Sequence, residues 1–564
     1  MASISNKPNL FFITSPRSPY KMKEEILILI NGFSGKCWKG NSDLQEQFYR
    51  KLAGSDFFIG SLSGDLALKA RDRITRGPKS LGLVDLSPNI QFTDAGEQYT
   101  KGEFSSEAFT RQLLKFQLPS PFHIDENQTF FIKPYLELTR LIYELNGLSK
   151  DEIAAFVMQL TSIEKYQMIK QKIIDFRELV REKSKKTQNY KRIFEGVFSS
   201  EIRDLYSALI LSGFTSTRES EDQSIDKFIK TKKSNHKDYA DAAIRYLRET
   251  KLFSIRSSWS RKITIDPTKK KEVEFILNTI PREPIFINDL ERYKEYLFDS
   301  TLPVLFTDDR VALINSINEL SQEYSREELL QKSIFDLKSI NLSLRNENLS
   351  RIVEEQIGIL QTYDNYSEIV ETYHSILSND LIDPSLFMEW NTWRAFVMLD
   401  DGLIKGNFNL DDEGMPLSHA PGNVSDIICE YDNFDISVEV TLSRGATQYM
   451  MEGEPVPRHI GTWKKQTNKE CYGVFIAQNL HPATIAHFYS LYRTSISFYG
   501  GIAKIIPLNL KEFMKMIDVA NSRSVKPNVR NIEGFIISAT NLALQSENER
   551  EWYGSIMNLI ETWI

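Results

Sequence analysis

The stretch SDIICEYDNFDISVEVTLSRGATQ, beginning at Ser425, holds the residues whose types and spacing could do chemistry. Asp432 and Asn433 both tolerate left-handed backbone, so the stretch predicts a β-hairpin that turns there. That register sets Asp426 opposite Glu439, Ile428 opposite Ser437, and Glu430 opposite Asp435. Ile427, Cys429 and Tyr431 fall on the other face with Phe434, Ile436, Val438 and Val440. A one-residue slip would mix the two faces, so the register is specified by the pattern. Carboxylates directly across a ladder stand about 5 Å apart and repel. Two arrangements satisfy such a pair. Both side chains can stand in solvent at a sheet edge, where the penalty is modest. Alternatively they close on a hard cation such as Mg²⁺, which prefers oxygen ligands and keeps several waters. A cation held this way turns a water into a nucleophile and stabilises charge developing on a phosphodiester.

The hairpin needs elements around it. From about Asp383 onward helices alternate with strands, among them YGVFIA (472–477) and AKIIPL (503–508). That alternation predicts an α/β domain on a mixed sheet over 386–564. Residues 301–385 carry apolar positions such as Leu313, Ile317 and Leu320 at helical spacing, and SREELL (325–330) opens with a good cap, so this region is expected to be a helical connector. The first 300 residues predict small helical modules with short β-ribbons, roughly 1–125 and 126–300. LGLVDLSPNIQFTDAGEQYTKG (81–102) reads as strand, turn, strand and a helix capped near Thr93 or Asp94. YLELTRLIYELNGLSKDEIAAFVMQL (135–160) reads as helix, turn at Asn146-Gly147, and a second helix capped by Ser149 with Glu152 three residues on. DYADAAIRYLRETKLFSIRSSWSRKITIDP (238–267) reads as a helix followed by a ribbon with a basic, Ser-rich tip, the outline of a winged helix. Residues 164–192 predict a basic amphipathic helix running into a Lys-rich loop, a solvated face or a phosphate contact. The fold class expected is therefore multidomain α+β.

Composition bounds the possibilities. The chain has 564 residues, 41% hydrophobic content and a formal net charge of −7. Residues 1–300 carry 48 Lys and Arg against 40 Asp and Glu, while 301–564 carry 21 against 36. A basic front and an acidic back suggest two jobs, the first on a polyanion. There is no run of about 18 apolar residues and no signal-peptide pattern, so neither membrane nor secretion is expected. Cys37, Cys429 and Cys471 lack metal-binding spacing, which fits a reduced cytoplasm and no structural zinc.

The residues around the hairpin are more specific than the hairpin itself. FMEWNTW, SHAPGNVSDI, VEVTLSRGATQ and MEGEPVPRH occur in this order, and SPRSPYK (15–21), CWKG (37–40), ARDR (70–73) and ADAAIRYLRETKLF (240–253) precede them. Together they resemble the AlwI family of type IIS restriction endonucleases, bacterial enzymes of the PD-(D/E)XK nuclease superfamily. The likeness spans most of the chain and is weakest in the connector. The resemblance implies a front half that reads a short asymmetric site on double-stranded DNA, and a C-terminal nuclease that cuts a few bases outside it. It implies Mg²⁺ as cofactor, one or two ions, with Mn²⁺ as a substitute. Asp426 and Glu439 would be metal ligands with the carbonyl of Val440 as a further one. Glu389, in FMEWNTW, would contact the metal through water, and Glu452, in MMEGEP, would be the fourth acid. A homodimer or a second nuclease subunit would supply the other strand's cut, and a DNA methyltransferase would protect the host. A strand-specific nickase, or the large subunit of a heterodimeric enzyme, is the alternative. A DNA-binding regulator with a vestigial nuclease fold is a third reading, against which four retained acids argue, since without metal they repel DNA.

One position departs from the superfamily pattern. The lysine usual two residues after the motif glutamate is Thr441, which supplies no cation. Arg444, Gln448 or Glu452 would cover part of its role, or a second metal would, and the general base stays unassigned. His419 and His459 lie beside the motif and are expected to be structural or phosphate-contacting, since Mg²⁺ prefers oxygen. Arg458 would touch phosphate or pair with Glu454. In the front half Arg17, Lys21, Lys39, Arg71, Arg73, Arg76 and Lys79 are the candidate DNA contacts, about a third of them to bases and the rest to phosphate.

Overall fold

Helix formation in the front of the chain follows its caps. Thr93 Oγ1 accepts the N–H of Gly96 and opens Asp94–Lys101, just after Val84–Asp85 has paired antiparallel with Gln91–Phe92. Helix Pro134–Glu144 ends before Asn146 and Gly147, both at positive φ, and Ser149 with Glu152 then closes a capping box on Lys150–Ala155. Helix Ile225–Glu249 leads into Phe253–Ser254, which pairs with Lys262–Ile265, and Leu148–Ser149 completes that small sheet. The order of helices and strands in these three stretches agrees with the sequence patterns. The computed structural model describes the chain apart from residues 1, 6, 56–57, 59–61, 185–188, 256–260, 379–380 and 401. The basic ribbon tip and the Lys-rich loop therefore lie outside the described residues.

The chain divides into two units, one comprising Met1–Arg256 and Arg261–Leu344, the other Arg345–Ile564. The boundary falls inside helix Ile334–Gln361, within the stretch expected as a separate connector. Its two ends have different partners. Leu337 and Leu344 join a cluster with Leu313, Ile314, Ile317 and Leu329 in the first unit. Arg345 pairs with Asp412 at 3.0 Å in the second. Helix Tyr366–Leu377 also belongs with the second unit: Tyr373 Oη reaches Thr392 Oγ1 at 3.1 Å, and Arg394 pairs with Glu368 at 2.9 Å. The connector is thus divided between the units, by apolar packing in the first and by polar contacts in the second.

The second unit is built on five strands. They are β1 (Leu403–Gly406), β2 (Ile427–Glu430), β3 (Phe434–Thr441), β4 (Glu470–Ala477) and β5 (Ile505–Asn509), in the order β5-β4-β3-β2-β1. β3, β4 and β5 are parallel, whereas β2 runs antiparallel to both β3 and β1. The sheet is mixed, as expected. The β2–β3 register sets Ile427 opposite Val438, Ile428 opposite Ser437 and Glu430 opposite Asp435, the register that the residue pattern specifies. Because β3 is the middle strand, seven of its eight residues are buried, and only Val440 is partly exposed. Helix α1 (Pro384–Leu399) is buried along its whole length from Leu386 and packs on β1 and β3. Helices α2 (Ala446–Glu452) and α3 (Pro455–Thr467) follow the hairpin, and α3 packs on β4. α3 comes close because Gly473 has no side chain: a Cβ there would lie 2.5 Å from Ile460 Cδ1.

Candidate active site

Each candidate carboxylate is placed by a different element. Glu389 is on buried α1, which Asp383 caps by accepting the N–H of Leu386. Asp426 immediately precedes β2, one step beyond the Ile427–Val438 pair and therefore level with Glu439 on β3. Glu452 ends α2. Glu439 is 7% exposed and Asp426 is partly buried, so the hairpin pair does not stand free in solvent at a sheet edge. The central position of β3 is the reason: helices and flanking strands cover the face that a two-stranded hairpin would leave open.

The four acids feel one another. Burial pushes the Asp426 carboxyl well above the usual carboxylate range, and Glu389, Glu439 and Glu452 push it further, while the Val440 N–H opposes them. Glu439 is raised in the same way by burial, Glu452 and Glu389, with a Ser425 hydrogen bond and Arg458 working against them. Glu452 is raised by burial, opposed by a hydrogen bond from Thr441 and by His459. So Glu389, Asp426, Glu439 and Glu452 form one electrostatic cluster.

Their present partners are specific. Val440 N–H donates to Asp426 Oδ2 at 2.8 Å. His459, on α3, donates from Nδ1 to Glu439 Oε1 at 2.7 Å. Burial and then Arg458 hold the His459 ring down at about 4. His419 Nδ1 donates to Glu389 Oε1 at 2.5 Å, and the Ala420 N–H reaches Oε2 at 3.3 Å. Burial disfavours a charged His419, but Glu389 and Asp383 outweigh it and lift the ring to about 10. The expected structural role of both histidines is therefore given a form, a bond to a carboxylate. Residue types and spacing flag the two histidines but not their partners, which are 20 and 30 residues away.

The donor set fits a hard divalent cation. All four acids offer oxygen, and a cation would relieve the repulsion that adds to burial in raising the proton affinities of Asp426 and Glu439. Among the described residues, no three His, Cys, Asp or Glu side chains stand at ligand spacing; Glu389, Asp426 and Glu439 each give an oxygen to His419, Val440 and His459 respectively.

The substitutes named for the missing lysine are otherwise engaged. Gln448 is fully buried and ties Ser443 and Asn479 by their carbonyls, while accepting the His481 N–H. Arg444 bonds Gln478 through Nε at 3.1 Å. Thr441 instead bonds Glu452. Arg458 pairs with Glu454 at 2.9 Å and also donates to Asn423 at 2.7 Å.

The front-half cations separate into kinds. Arg73 is turned inward to Glu25, which is 0% exposed, so its first task is to pair a buried carboxylate. Glu25 lies at helical spacing with Met22, Ile26 and Leu29, the signal in the sequence that could have revealed it. Arg17 pairs with Asp238, and Arg76 with Asp72 at 3.0 Å. Arg71 donates to Gln45 Oε1 at 2.9 Å. Lys79 sits 4.8 Å from the Phe122 ring centroid and Lys21 5.9 Å from that of Tyr20. Lys39 is exposed.

Comparison with known proteins decides the family. The AlwI restriction endonuclease family model matches residues 79–516. The chain belongs to the AlwI restriction endonuclease family. The AlwI match contains all four carboxylates and begins at Lys79, after the other six candidate DNA contacts. No curated protein matches the chain. Solved structures similar to the chain include the following two. One is the small subunit of the heterodimeric restriction endonuclease R.BspD6I, at 26% identity, covering 35% of this AlwI-family chain and 97% of that one, with a TM-score of 0.29. The other is the BpuJ1 endonuclease binding domain in complex with pyrene- and phenanthrene-modified DNA, at 15% identity, covering 51% and 94%, with a TM-score of 0.32.

Proposed function

We propose that this AlwI-family protein is a Mg²⁺-dependent type IIS endonuclease of the PD-(D/E)XK kind. It would bind a short asymmetric site on double-stranded DNA and hydrolyse phosphodiester bonds a few bases outside it. The observation that carries this is the single electrostatic cluster of Glu389, Asp426, Glu439 and Glu452 beside the middle strand of a mixed sheet. Such a cluster is destabilising by itself and hostile to DNA, and both defects vanish with a bound cation.

Asp426 and Glu439 would hold the ion, with the Val440 carbonyl as a further ligand and Glu389 and Glu452 in the outer layer. When bound, Mg²⁺ acidifies a water and stabilises charge on the phosphodiester. Thr441 and His459 hold Glu452 and Glu439 at the site. Water attack would leave a 5′-phosphate and a 3′-hydroxyl. Site reading would fall to the front unit, with its helix-and-ribbon elements acting as winged helices and Arg17, Lys21, Lys39, Arg71, Arg76 and Lys79 as contacts. Arg73 would support that surface from beneath. Host protection would require a methyltransferase of matching specificity.

A supercoiled-plasmid digest with sequencing of the cut ends tests this. With Mg²⁺ we expect cuts at fixed offsets from one short site, none in EDTA, and a loss of at least about 100-fold in Glu439→Ala. Open circles that never linearise would indicate a nickase or a large subunit lacking its partner. Site-specific binding with no cutting under any metal would overturn the enzyme assignment in favour of a regulator.

A further inference from the structure

Glu389 is the candidate acid farthest from the hairpin in sequence, and nothing in the β-ladder fixes its carboxylate. It is held instead by the loop before β2. His419 Nδ1 takes one oxygen at 2.5 Å and the Ala420 N–H takes the other at 3.3 Å, so both oxygens are engaged by adjacent residues. The opposite ring nitrogen of His419 faces Asp383 Oδ1 at 3.7 Å. Asp383 is also the cap of α1, the helix that carries Glu389. The ring thus bridges the cap of α1 and a residue six positions on, and holds the carboxylate that the helix presents. Asp383, His419 and Glu389 are all poorly exposed, at 8%, 24% and 9% of their side chains, so water competes weakly for these contacts.

We propose that His419 is a positioning residue for DNA cleavage, acting through Glu389 and anchored by Asp383. The inference rests on the assignment of Glu389 to the nuclease centre. Partners of this outer kind are worth about 10- to 100-fold in metal affinity or activity when removed. Asn is the conservative replacement, because its Nδ2 occupies nearly the place of the histidine Nδ1 and donates the same hydrogen bond.

The test is a double-mutant cycle read by single-turnover cleavage and by the rise in melting temperature on adding Mn²⁺. The variants are His419→Ala, His419→Asn, Glu389→Ala and the Glu389→Ala/His419→Ala double. Site-specific DNA binding in EDTA confirms that each is folded. We expect His419→Ala to lose about 10- to 100-fold in rate and part of the Mn²⁺-induced shift, and His419→Asn, which keeps the bond to Glu389 but not the contact with Asp383, to recover part of both. The double variant should be no slower than Glu389→Ala, since the histidine then has nothing to position. Losses that multiply in the double variant, or a wild-type rate in His419→Ala, would overturn the proposal. If Glu389→Ala itself cleaves and binds Mn²⁺ like wild type, the assignment of Glu389 is what fails, and the two failures are told apart.

Discussion

At the scale of single residues, the proposed cation site trades stability for function. Asp426 has a folded proton affinity raised above its ordinary value of 3.8, mainly by burial and then by Glu389 and Glu439. A raised carboxyl contributes stability that is complete below pH 3.8 and is lost as pH rises through the folded value. The metal-free protein should therefore weaken as pH climbs from the mildly acidic range to pH 8. Asp426→Asn removes the charge and keeps an acceptor for the Val440 N–H. At pH 8 in EDTA it should melt several degrees higher than wild type, equivalent to about 1–2 kcal/mol, while cleaving no DNA. Mg²⁺ should raise the wild-type melting temperature and leave the variant's unchanged. An Asn variant less stable than wild type at pH 8 in EDTA would show that the cluster is not repulsive. Residue-level chemistry was partly legible in the sequence. Asp426 and Glu439 announce themselves by sitting on the polar side of an alternating hairpin. The Glu25–Arg73 pair does not, because its two halves are 48 residues apart and only folding brings them together.

At the scale of elements, alternation and turn chemistry carried the hairpin, the caps and the mixed sheet. Register was legible because β2 and β3 are adjacent in sequence and their apolar positions, Ile428 excepted, match on one face. Burial of the other face was not, since it depends on β4 running parallel to β3 and on α3 seating against Gly473. The boundary between units was also hidden. Helix Ile334–Gln361 has no break in its helical pattern, yet its first part packs on Leu313 and Ile317 and its later part on the loop at Asp412. If recognition and cleavage reside on separate units, the chain passes from one function to the other inside this helix. Inserting seven residues, about two turns, at the Leu344–Arg345 boundary should shift or blur the cut position by sequencing of the ends, with site binding retained. An unchanged offset would mean that this helix does not set the cutting distance.

At the scale of the whole molecule, family membership and charge distribution point the same way. The front 300 residues are net basic and the remainder net acidic, as expected when one part holds a polyanion and the other holds metal. Among the described residues, no helix is long and apolar enough to cross a membrane. The central claim is that the carboxylate cluster is a divalent-cation site, and Mn²⁺ tests it most directly. Manganese would be titrated into metal-free wild type, Asp426→Asn and Glu439→Gln at pH 8, with free ion followed by its electron paramagnetic resonance signal. Saturable uptake of one or two ions per wild-type chain, lost in both variants, is the predicted result. Equal uptake by all three proteins would contradict it.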